Sequence, residues 1–202
     1  MEMLKSNPNF EFDGVSEGFM ETINIDGKMY EYYEFTNDVE IFDTLFNLNL
    51  FLSNIDNDIE LKNVLYQLVI YKENEIQAFT TKINSRYLLG ISEGTFRELR
   101  NWFKMYLAID KTYDVFGLKK ENKDFYFSYT YQKALEFLIV HEYVHMIDGH
   151  CDIPRNKSKF ICEQSKEISR EEGLFSQILE YDADNWAAAY LFKKIKKILM
   201  LL

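Results

Sequence analysis

The stretch His141-Glu142-Tyr143-Val144-His145 constrains this chain more than any other. It reads H-E-x-x-H. At 3.6 residues per turn, two histidines four apart stack on one helix face. The glutamate after the first stands beside that face. The pentapeptide takes two of the three histidines present in 202 residues. A helix of this kind is two thirds of a catalytic zinc site, because such a zinc takes three protein ligands and keeps one position for water. Alone the pentapeptide is a moderate signal, since it also occurs on ordinary helices that carry histidines by chance.

A later segment supplies the missing ligand. Glu180-Tyr181-Asp182-Ala183-Asp184 puts Glu180 and Asp184 four residues apart on one helix face. Ala183, Ala187 and Ala188 lie beside them, and small residues let one helix approach another closely enough to share an ion. The spacing predicts Glu180 as the third ligand. It predicts Asp184 as the acceptor of a hydrogen bond from the outer nitrogen of a liganding histidine, a contact that fixes the ring's tautomer. Asp184 also competes for the ligand position itself, whereas Asp182 points to a different side. Glu142 is then left as the general base that takes a proton from water on the metal. The apolar neighbours Leu138, Ile139, Val140, Met146 and Ile147 would strengthen the electrostatics of such a site.

His150 is set aside as a ligand. It follows Gly149, where the helix is expected to end, and nine residues from His141 it would fall on the opposite face of a continuous helix. The longer pattern H-E-x-x-H-x-x-G-x-x-H would need glycine at 148 and histidine at 151, where this chain has Asp148 and Cys151. A capping or substrate-facing role remains for His150. Cys151 and Cys162 are the only cysteines. No C-x-x-C pair is present, so two reduced thiols are expected rather than a disulfide framework or a cysteine zinc site.

The rest of the chain predicts an α+β fold in one domain, 1–202, with an N-terminal hairpin and helices over 1–71 and a core over 72–202. Asp26-Gly27 between Glu21–Ile25 and Lys28–Phe35 is a hairpin signal. Asp38–Ser53 reads as a helix. Asp58–Tyr71 reads as another, through Leu61, Leu65, Leu68 and Val69. Strands are expected at Ile76–Ile83 and Arg86–Ser92, and a helix over Thr95–Leu107 opened by a Thr95/Glu98 capping box. Lys111–Asp124 reads as a loop. Two long helices follow, from about Tyr129 to Asp148 and from a Ser169/Glu172 capping box to about Lys197.

Composition narrows the partners. A net charge of -10 opposes nucleic-acid binding. No stretch approaches the roughly 18 apolar residues of a membrane span, and no leader-like apolar run is found near the start. The expectation is a soluble, cytoplasmic protein. The basic-apolar ending Phe192–Leu202 reads as the end of a core helix more readily than as a membrane-surface segment.

His141-Glu142-x-x-His145 followed by Glu180-x-x-Ala183-Asp184-x-x-Ala187-Ala188 resembles the gluzincin metallopeptidases. It is similar in particular to the small intracellular phage-exclusion peptidases of the Lit type and to the ImmA/IrrE group. The likeness spans about residues 75–200, and the ending His145-Met-Ile-Asp-Gly149-His150 shares it. It implies a zincin-like core: a small mixed sheet, the H-E-x-x-H helix and a glutamate helix. It also implies Zn2+ as cofactor and a protein or peptide substrate added to an edge strand. By position that strand is Arg86–Ser92, with Leu88, Gly90 and Ser92 as substrate-binding residues. Fourteen tyrosines single out no transition-state donor.

Three functions compete. The first is a zinc endopeptidase, in phage exclusion or regulatory proteolysis. The second is a non-catalytic zinc-binding regulatory or interaction domain, against which an intact Glu142 argues, since a structural site closes its fourth position and needs no base. The third is a module held shut by residues 1–71, which read more simply as additional core.

Overall fold

A computed structural model of the chain describes residues 22–25, 28–33, 39–58, 64, 66–83, 86–152 and 170–199. It is a mixed α+β structure, mostly helical with a small mixed sheet. β1 (Thr22–Ile25) and β2 (Lys28–Tyr33) form the antiparallel hairpin, closed where Ile25 pairs with Lys28. α1 (Val39–Asp58) follows and runs five residues beyond its expected end. β3 (Tyr66–Tyr71), β4 (Ala78–Ile83) and β5 (Arg86–Ser92) complete a sheet of order β1-β2-β3-β5-β4. β3 and β5 pair in parallel, and β4 pairs antiparallel to β5.

β3 corrects the helix expected over Asp58–Tyr71. Five of its six residues are buried, and only Gln67 is half-buried. The run Tyr-Gln-Leu-Val-Ile-Tyr fills both faces of an interior strand, and a short apolar run of that kind has no period that separates strand from helix. β5 corrects a second expectation. It is bonded on both sides, so it has no free edge, and Leu88, Gly90 and Ser92 are all buried. Gly90 is glycine because the Phe79 ring of the paired strand lies where its side chain would be: a Cβ there would meet the ring at 2.4 Å. Among the described residues no strand pairs with the outer edge of β4.

α2 (Glu93–Tyr106) begins two residues before the expected capping box. Ser92 caps it, its hydroxyl accepting from the Thr95 amide at 3.0 Å. Thr95 instead turns its hydroxyl to the Gln77 carbonyl, 2.9 Å away, and ties the helix start to the residue just before β4. The expected loop over Lys111–Asp124 contains a short helix, α3 (Asp110–Phe116), and a single 3-10 turn, Lys120–Asn122. α4 (Lys123–Ile147) therefore starts six residues earlier than expected. α5 (Arg170–Leu199) closes the described chain; the Ser169 cap lies outside the described residues.

One apolar cluster joins these elements: Leu48, Leu52 and Ile55 of α1, Tyr66 and Ile70 of β3, Leu89 and Ile91 of β5, Leu135, Ile139 and Val144 of α4, and Ala183 and Ala187 of α5. α1 is thus part of the core. Its Asp56 accepts hydrogen bonds from Tyr66 and from Tyr143, each at 2.7 Å. The two tyrosine rings meet edge to face with centroids 5.7 Å apart. The helix that carries the histidines is thereby fixed to both the sheet and the N-terminal helix. No helix among the described residues is long and apolar enough to cross a membrane.

Candidate metal centre

α4 presents His141 and His145 on one face. Ile139, Val140, Val144 and Met146 are buried around them, and His145 is itself buried. α5 packs along this part of α4 through Ala183 and Ala187, both fully buried, whereas Ala188 is exposed and takes no part. Without large side chains between the helices, Glu180 reaches the histidines.

The three side chains converge on one point. His141 Nε2 lies 3.1 Å from His145 Nε2 and 3.1 Å from Glu180 Oε2. His145 Nε2 lies 3.5 Å from Glu180 Oε1. Ligands held about 2.0–2.1 Å from a tetrahedral zinc stand about 3.3 Å apart, so the three separations, which here are also hydrogen-bond and ion-pair distances, would admit such an ion. Either a proton or a cation satisfies these donors. Two ring nitrogens face each other, and Glu180 Oε1 is a buried atom with no hydrogen-bond partner. Two imidazoles and one carboxylate are the donor set of a catalytic zinc, and the residues fit it.

The electrostatics point the same way. Burial works against charge on His141. The hydrogen bond it donates to Glu180, the charges of Glu142 and Glu180 and the bond to Asp184 outweigh it and hold the imidazole up at about 9. Burial likewise works against charge on Glu180, but the hydrogen bond from His141 and the nearness of both imidazoles push its carboxyl down to about 2. Asp184 sits where the sequence predicts, its Oδ1 2.9 Å from His141 Nδ1, on the far side of the ring from Glu180. Glu142 is buried, and burial raises its carboxyl, opposed by the nearby histidines. The Thr80 hydroxyl donates to the Glu142 main-chain carbonyl at 2.6 Å, which fastens β4 to α4 at the motif. A buried carboxyl that is raised yet charge-coupled to both histidines can exchange a proton with a molecule bound beside them.

His150 is not one of the three converging side chains, and the residue that caps α4 is Asp148. Gly149 adopts φ +73°, a left-handed conformation that glycine takes without strain, and reverses the chain after Asp148. The following 3-10 turn, His150–Asp152, carries the ring back beneath His145, where the two Nδ1 atoms lie 2.8 Å apart. His150 Nε2 lies 3.5 Å from Asp182 Oδ2, so Asp182 does face a different side from Glu180. Burial and the neighbouring His145 lower the His150 imidazole. The turn is held to the sheet: Asp152 pairs with Lys82 of β4 and accepts from the Tyr87 hydroxyl of β5 at 2.9 Å. The Cys151 thiol, pushed up to about 12 by burial, stands 3.6 Å from the Thr80 carbonyl. A thiol held protonated is a poor metal ligand, in keeping with the absence of a C-x-x-C pair.

Sequence reasoning missed two contributors: Thr80, which carries no motif, and the His145–His150 pair. The signal for the pair is Gly149, since a glycine that ends a helix reverses the chain and can return the next residue to the helix's own last turn. Comparison with family models, with curated proteins and with solved structures finds no match to this chain.

Proposed function

We propose that this chain is a zinc-dependent endopeptidase of the gluzincin type with a zincin-like core, hydrolysing a peptide bond in a protein or peptide substrate. The observation that carries the reading is the convergence of His141, His145 and Glu180, whose donor atoms lie within 4.8 Å of one another, with the buried Glu142 beside them. His141, His145 and Glu180 would hold the ion. Zinc supplies Lewis acidity, which polarises a carbonyl and makes water acidic near neutral pH. Glu142 takes the proton from the attacking water and returns it to the leaving amine. Its burial supports this role, because a base works best with a pKa near the working pH. Asp184 orients the His141 ring. The strand that suits an extended substrate is β4 rather than β5, because, of the two edge strands among the described residues, β1 and β4, it is β4 whose Thr80 bonds directly to the Glu142 main chain.

The test compares wild type with Glu142→Gln for zinc content and for cleavage of a mixed panel of cytosolic proteins. Both are expected to bind one zinc, and only wild type to cleave, with a rate loss on the order of 10²–10⁴ in the variant. If both bind zinc and neither cleaves, the peptidase reading falls and a non-catalytic zinc-binding domain takes its place.

A further inference from the structure

The facing Nδ1 atoms of His145 and His150 form a hydrogen bond whose direction is fixed by what His145 does at its other nitrogen. We propose that His150 is a positioning residue for His145: its Nδ1 accepts the His145 Nδ1–H and so locks the tautomer whose Nε2 lone pair faces His141 and Glu180. The inference rests on the metal reading above.

The reasoning is a proton count. Two nitrogens 2.8 Å apart require one hydrogen between them. A neutral imidazole that ligates through Nε2 carries its only proton on Nδ1. His145 is then the donor and His150 Nδ1 the acceptor. His150 must carry its own proton on Nε2, and that atom lies within ion-pair reach of Asp182 Oδ2, 3.5 Å away, with Asp148 in the same cluster. One assignment satisfies the whole series from Glu180 through His145 and His150 to Asp182. His141 has a simpler counterpart, with Asp184 2.9 Å from its outer nitrogen.

The surroundings hold His150 for this task. It is only 5% exposed, and its ring meets that of His145 at a centroid distance of 5.0 Å. Gly149 supplies the reversal that brings it back. Lys82 and Tyr87 grip Asp152 two residues on, so the turn is anchored to β4 and β5 as well as to the helix it serves. The sheet thereby sets the orientation of a ligand on α4.

A second consequence separates this role from another use of the same residues. The donor atoms of Asp148, His150 and Asp182 also lie within 4.8 Å of one another, a spacing that suits a second cation. Such an ion would need the His150 Nε2 lone pair, which moves the His150 proton to Nδ1. Two N–H groups would then face each other across 2.8 Å whenever His145 ligates the first ion. The two sites exclude each other, and the chain holds one ion.

The direct test is long-range 1H–15N correlation on the zinc-loaded protein, which reports the protonated nitrogen of each histidine without any mutation. Nδ1 protonation is expected for His141 and His145, and Nε2 protonation for His150. Protonation of His150 on Nδ1 overturns the proposal. The mutational test measures zinc affinity by chelator competition and the visible spectrum of the cobalt-loaded protein. His150→Leu is expected to weaken binding about 10–100-fold and to shift the cobalt bands, as loss of a partner to a liganding histidine does. His150→Asn, which places Oδ1 where Nδ1 lay, is expected to restore most of both, with unchanged circular dichroism in each variant. Equal affinity and an identical cobalt spectrum in His150→Leu overturn the proposal, as does a stoichiometry of two zinc ions per wild-type chain. Wild type that binds no zinc overturns the metal reading as well, so the two failures are distinguishable.

Discussion

Glu180 and Asp184 stand four residues apart on α5, yet they meet opposite nitrogens of one imidazole: Glu180 Oε2 is 3.1 Å from His141 Nε2, and Asp184 Oδ1 is 2.9 Å from Nδ1. The two carboxylates therefore have unequal consequences when removed. Asp184→Ala is expected to weaken zinc binding about 10–100-fold, because it frees the ring without deleting a ligand. Glu180→Ala is expected to weaken it far more. Chelator competition ranks the two, and the reverse order would make Asp184 the ligand. His141 carries a second expectation at the same scale. Its imidazole is held at about 9 in the metal-free protein, above the ordinary 6.5. A raised value stabilises the metal-free fold fully below pH 6.5, and that contribution is lost as pH rises through about 9. The same proton must leave before Nε2 can ligate. Zinc binding at pH 7 is therefore expected to release about one proton from this ring, and apparent affinity to climb with pH up to about 9. Calorimetry in two buffers of different ionisation enthalpy counts the proton, and a count of zero contradicts the assignment.

At the scale of elements, the ties that aim α4 are as specific as the histidines it carries. Asp56 of α1 holds the hydroxyls of Tyr66 on β3 and Tyr143 on α4, and burial together with this carboxylate pushes both phenols well above their ordinary range. Asp56→Ala would leave two buried hydroxyls without their acceptor and is expected to destabilise the fold by about 2–3 kcal/mol, against about 1 kcal/mol for Tyr143→Phe, which removes a donor and its bond together. Urea unfolding measures both, and equal losses would mean that the carboxylate is not the shared anchor. The sequence made some elements legible and hid others for physical reasons. α4 and α5 announce themselves through long runs and end signals, and the hairpin through Asp26-Gly27. β3 was hidden because Leu61, Leu65 and Leu68 keep a helical spacing into a strand whose fate is decided by β5 on one side and β2 on the other. The same long-range pairing makes β5 interior and β4 an edge, which no pattern within either strand encodes.

Considered as a whole molecule, the chain builds its centre where independently placed elements meet. α4 supplies two donors, α5 the third, and the turn after α4 is anchored to the sheet. Spacing within one helix was readable, so His141, Glu142 and His145 stood out at once, and Glu180 and Asp184 followed from a second spacing of four. The contact between His145 and His150 was not readable, since it depends on a backbone reversal at Gly149 and on a clamp from Lys82 and Tyr87, more than sixty residues earlier in the chain. An ion shared by α4 and α5 would staple two helices whose interface otherwise rests on small residues such as Ala183 and Ala187. A ligand that binds only the folded state stabilises it by about 4 kcal/mol when present at roughly 1,000 times its Kd. For a chain of this length each kcal/mol moves the midpoint by about 2–4 °C. Chelation of the zinc-loaded protein is therefore expected to lower Tm by about 8–16 °C. Glu142→Gln should show the same shift, because its carboxylate is not among the donors, whereas His141→Ala should show little or none. A wild-type Tm that ignores the chelator would mean that α4 and α5 are not joined through a metal at all.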